Sequence, residues 1–146
     1  MKDTYSIYST PNANGVEGKK RCIYEEILKD FKQVYSFEYL IQFFEAKARK
    51  YFAISIAEDE KDVNEDIDFS ATDNYFSVLQ IVWVVKTLKA FYDEGYDLKI
   101  VKISSEHNGW IMKFTFDFSK LTTRQAEIVC LNCFERNQLC PDNIIY

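Results

Sequence analysis

Between Glu58 and Asp73 the chain sets eight carboxylates (Glu58, Asp59, Glu60, Asp62, Glu65, Asp66, Asp68 and Asp73) against a single cation, Lys61. Carboxylates at that density can hold a hard divalent cation, work as a general acid and base, or project a negative potential that steers a basic surface toward them. The first two uses need particular spacings. A calcium loop of the EF-hand type requires glycine at its sixth position, and none occurs between Gly18 and Gly95. A carboxylate-metal nuclease needs acids and a lysine converging at a strand end, and Asp59-x-Lys61 has that local form. The same acid-x-Lys triplet also starts at Glu17, Asp30, Glu45 and Asp97, so its specificity is low. Docking of a basic partner needs no such spacing and is the use expected of this segment, with all eight acids as candidate partner-binding residues.

The other reactive side chains point to less. Cys130-x-x-Cys133 has the spacing of a zinc or redox pair, with Cys22 and Cys140 as further ligands to consider. Ala126, Val129, Cys130, Cys133 and Phe134 follow helical periodicity, however, and a redox pair belongs at a helix N-terminus, where the dipole depresses the thiol pKa. Buried structural thiols are therefore expected, with no metal and no cofactor. Residues 13–20, ANGVEGKK, come close to a phosphate-binding loop, but Lys20 stands where magnesium needs a Ser or Thr hydroxyl and Ala13 where the first glycine belongs. A degenerate nucleotide-binding domain at 13–20 and a nuclease at 58–61 make up the enzymatic alternative to docking. His107 is the only histidine and lies beside a turn, so no Ser-His-Asp or Cys-His device can be assembled around it.

The elements that must position these groups follow from periodicity. Residues 4–9 read as a short strand. Tyr24, Ile27, Leu28, Phe31, Val34 and Tyr35 form one helix face over 22–35, and a second stripe, out of phase, begins at Phe37 and predicts a helix over 37–50 with Ser36 at the break. Residues 52–57, FAISIA, alternate large and small side chains and predict a strand with Phe52, Ile54 and Ile56 facing the core. A helix over 72–94 ends at Gly95 and is apolar on nearly every side, as a buried central helix would be. Asn108-Gly109 is a two-residue hairpin turn, so 98–118 predicts an antiparallel hairpin with Ile103 opposite Phe114, Val101 opposite Phe116 and Lys99 opposite Phe118. A last helix is expected over 122–138. The fold class is α+β, a small and mostly antiparallel sheet (hairpin 98–118 plus strand 52–57) packed with about four helices in a single domain over 1–146.

Composition narrows the partners. The net charge is −5, but residues 1–50 carry +2, residues 51–97 carry −8 and residues 98–146 carry +1. Such a chain is not suited to nucleic acid or an anionic membrane surface, both polyanions, and no stretch reaches the roughly 18–20 apolar residues of a membrane span. The start MKDTYSIYST has no signal-peptide pattern, which predicts a cytoplasmic protein with reduced thiols. The expected function is that of a non-enzymatic inhibitor or adaptor whose acidic surface docks on a basic, nucleic-acid-binding protein or nuclease. In size and charge the chain resembles small acidic inhibitors of phages and mobile elements, DNA mimics and anti-CRISPR proteins among them. Its 16% aromatic content is also compatible with a homodimer.

Overall fold

The computed structural model describes residues 4–8, 23–59, 70–106, 111–135 and 140–141. In chain order these form β1 (Thr4–Tyr8), α1 (Ile23–Leu28), α2 (Phe37–Asp59), α3 (Ser70–Asp93), β2 (Lys99–Glu106), β3 (Ile111–Asp117), α4 (Thr123–Cys130), a π-helical turn (Leu131–Glu135) and β4 (Cys140–Pro141). The fold is α+β, as the sequence predicts, with a four-stranded antiparallel sheet in the order β2-β3-β1-β4. Pro141 sits on the edge strand, where its missing N–H interrupts no interior ladder. The buried side chains make one apolar cluster that joins the sheet, through Ile103, Met112 and Phe114, to Tyr24 of α1, Phe44 of α2 and Ile81 of α3.

The largest correction concerns residues 52–57, which are helical. The stripe that opens at Phe37 runs through Leu40, Phe44 and Ala48 to Tyr51, all buried, and half-buried Ser55 continues it. Extending a formed helix adds a hydrogen bond for each residue fixed and carries no nucleation penalty. No Gly or Pro interrupts residues 37–59. The local alternation at 52–57 therefore loses to the stripe already running, and Phe52, Ile54 and Ile56, expected in the core, are 50%, 41% and 43% exposed. The helix expected over 37–50 thus continues to Asp59, and β1 and β4 complete the sheet in place of the expected strand.

The helix expected over 22–35 stops at Leu28. The chain turns with Gln33 at φ 59°, and Phe31 packs against Tyr39 (5.6 Å between ring centroids) and Phe43 (5.3 Å). Ser36 marks the break as expected, its Oγ accepting from the Tyr39 N–H at 3.3 Å. At the far end of α3 the Gly95 N–H donates to the Tyr92 carbonyl and the Tyr96 N–H to that of Phe91, both at 3.0 Å. Gly95 at φ +104° and the Phe91–Tyr96 ring contact at 4.9 Å complete a Schellman stop.

The hairpin forms with Ile103 opposite Phe114, but a bulge between Ile100 and Lys102 shifts the rest: Ile100, not Val101, opposes Phe116, and Lys99 opposes Asp117. Burying Leu98, Ile100 and Ile103 together requires one extra residue, because a strict two-residue period would turn Lys99 and Val101 inward. Thr122 caps α4 in a capping box with Gln125. The last helix expected over 122–138 ends as α-helix at Cys130 and continues as the π turn to Glu135.

Candidate functional site

Helices α2 and α3 form an antiparallel hairpin. Phe37 meets Tyr92 (5.4 Å between rings), Glu45 pairs with Lys86 (3.2 Å) and Phe52 meets Tyr75 (5.3 Å), so partners run in opposite directions along the two helices. The C-terminus of α2 and the N-terminus of α3 therefore share one end, and the acidic segment begins and finishes there. Glu58 and Asp59 are the last residues of α2, and Asp73 lies in the first turn of α3. Glu60, Asp62, Glu65, Asp66 and Asp68, with Lys61, fall outside the described residues.

Electrostatics at this end favour an incoming cation. The last turn of α2 holds no basic residue, and the negative end of its dipole is met at the same end by the positive end of the α3 dipole, so the negative charge there comes from the carboxylates themselves. Between Lys50 and Lys86 the sequence supplies one cation, Lys61. Elsewhere, several acids have a lysine close by: Asp30 with Lys47 (2.9 Å), Asp93 with Lys89 (2.7 Å), Glu106 with Lys113 (3.4 Å). Hydrogen bonding and charge from Lys47 hold the Asp30 carboxyl below its ordinary range, and Ser119 does the same for Asp117.

Beside the acidic end lies a group of rings, of which the sequence reading placed Phe52 in the core. Phe52, Tyr75 and Phe76 form a chain with centroid separations of 5.3 Å at both steps, and Phe76 is 60% exposed. Trp83, 56% exposed, follows seven residues after Phe76, which places it about 10.5 Å along α3 and within about 20° on the same face. Asn74, Ser77, Ile81 and Leu88 occupy the opposite, buried face. Because α3 is apolar on nearly every side, composition hides which side faces out, and the signal that could have found it is the seven-residue spacing of Phe76 and Trp83 on the side opposite Asn74 and Ser77.

The remaining candidates divide. Cys130 and Cys133 are buried thiols, and burial, with Cys130 adding to it, pushes the Cys133 pKa up to about 12, the reverse of what a redox or metal-binding thiolate needs. Among the described residues no group of three or more His, Cys, Asp or Glu side chains is placed to hold a metal ion. Residues 13–20, Cys22 and His107 lie outside the described residues, as do the side chains of Glu58, Asp59, Asp73 and Cys140. Among the described residues no helix is long and apolar enough to cross a membrane. Comparison with protein-family models, with curated proteins and with solved structures gives no match.

Proposed function

We propose that this chain is a non-enzymatic interaction protein, an inhibitor or adaptor, that docks the acidic end of its α2–α3 hairpin on the basic surface of a nucleic-acid-binding partner. The observation that carries the reading is the meeting of the acidic segment and the Phe52–Tyr75–Phe76 ring chain, whose two outer members are exposed, at one end of a helical hairpin. Carboxylates steer encounter and pair with Lys or Arg, while neighbouring aromatics supply the desolvated contact that holds a complex together. A run of acids also offers a basic groove what a phosphate backbone offers it, so the finer form of the proposal is competition with nucleic acid, as a DNA mimic or an anti-CRISPR-like phage inhibitor would achieve. The setting proposed for this encounter is the cytoplasm.

The test is capture from a host lysate at two salt concentrations, using the wild-type chain and a variant with Glu58, Asp59, Asp62 and Asp66 all changed to Lys. A basic, nucleic-acid-binding protein is expected on the wild type at low salt, weakened at high salt, displaced by duplex DNA and lost on the variant. Equal capture by a folded variant rejects the acidic dock.

A further inference from the structure

We propose that the outer face of α3, anchored by Phe76 and Trp83 with Phe52 of α2 alongside, seats an amphipathic helix with a basic flank, contributed by the partner that the acidic end attracts. This rests on the docking reading above and specifies the shape of what is docked. Three of the largest apolar side chains on the hairpin, Phe52, Phe76 and Trp83, are each half or more exposed. Exposed apolar surface of this kind, next to a charged rim, is characteristic of an interaction site. Phe76 and Trp83 lie two helical turns apart, so the complementary apolar positions on a helix laid along α3 recur at i, i+3 or i+4, and i+7. Half-buried Leu79 lies between them, and the Glu45–Lys86 pair bounds the face on the α2 side.

Charge selects the occupant. A second copy of the chain, packed in parallel across this face, would bring two acidic runs, each of eight carboxylates against Lys61, to the same end, whereas a helix with lysines or arginines beside its apolar stripe meets opposite charge at that end. An anionic lipid surface is repelled for the same reason as a second copy.

The test uses the full chain with Trp110→Phe, which leaves Trp83 as the only one of the two tryptophans. The probes are an 18-residue Leu/Lys amphipathic peptide and oligolysine of the same length, both fluorescently labelled. The Leu/Lys peptide is expected to bind saturably, to shift Trp83 emission to the blue, and to bind roughly thirtyfold more weakly, by anisotropy, to Phe76→Ala or Trp83→Ala variants whose circular dichroism is unchanged. Oligolysine is expected to bind more weakly and to leave the Trp83 spectrum unchanged. Equal binding of both peptides with an unshifted Trp83 overturns the helix seat and leaves the acidic dock standing. Binding of the Leu/Lys peptide that ignores both salt and the fourfold Lys variant overturns the acidic dock and, with it, the basic flank assigned to the occupant. Concentration-dependent dimerisation that by itself shifts Trp83 to the blue assigns the face to a second copy and overturns the proposal.

Discussion

Replacing Tyr24 by phenylalanine removes a hydroxyl that the fold buries completely and that, among the described residues, has only the Ser77 side chain near it, without a hydrogen bond of ordinary geometry. A buried polar group left in that state costs about 1–3 kcal/mol, so Tyr24→Phe is expected to be more stable than wild type at pH 7 by about 1 kcal/mol or more, since the ring and its packing are retained. Burial also pushes the phenol pKa well above its ordinary 10.0, with the Ser77 side chain opposing the push only in part. The sign of the pH effect follows. Below pH 10 the phenol is neutral in both folded and unfolded chains; above it the unfolded chain releases a proton that the folded chain keeps, and stability falls. One pH unit above the ordinary value corresponds to about 1.4 kcal/mol for this one group, so the advantage of Tyr24→Phe should widen by about that amount between pH 9 and pH 11. Urea unfolding of both proteins at pH 7, 9 and 11 measures it. The comparison cancels the other alkaline titrations, including Cys133, whose raised pKa acts in the same direction. A variant that is less stable at pH 7, with a gap that stays constant with pH, would refute the reasoning, because it would mean that the hydroxyl is satisfied and its ionisation uncoupled from folding.

Two further outcomes test the fold that positions the site. Gly95→Ala should cost about 1–2 kcal/mol in urea unfolding, entirely through the left-handed backbone, because a Cβ there meets nothing within 4 Å; no loss would mean that α3 does not end in this stop. Ile54→Lys and Ile56→Lys should each change stability by less than about 0.5 kcal/mol, whereas Phe44→Ala should cost about 3–5. Collapse of the two lysine variants would restore residues 52–57 to a core-facing strand.

Much of the architecture is legible in local pattern. Thr122 and Gln125 form their box, Gly95 ends α3, and Ser36 separates α1 from α2, because each feature depends on residues a few positions apart. The pairing of Ile103 with Phe114 is readable for the same reason, being the one expected from the sequence distance to Asn108-Gly109, which lie outside the described residues. Residues 52–57 were misread because their alternation was weighed without the helix already running into them, and the outward face of α3 went unidentified because a helix apolar on nearly every side does not show which of its sides is covered.

The amino-acid order by itself determined that negative charge gathers in one third of the chain and that helices and an antiparallel hairpin surround it, since charge is a count and helix and hairpin signals are short-range. Only the tertiary structure decided that the two helices flanking the acidic segment pack antiparallel, that β1 rather than 52–57 joins the hairpin, and that Phe52, Phe76 and Trp83 face outward. Those choices are made by competition for a single core. Once Tyr24, Phe44, Ile81 and Phe114 fill it, aromatics on the opposite helix faces are left without a place in that core and stay exposed.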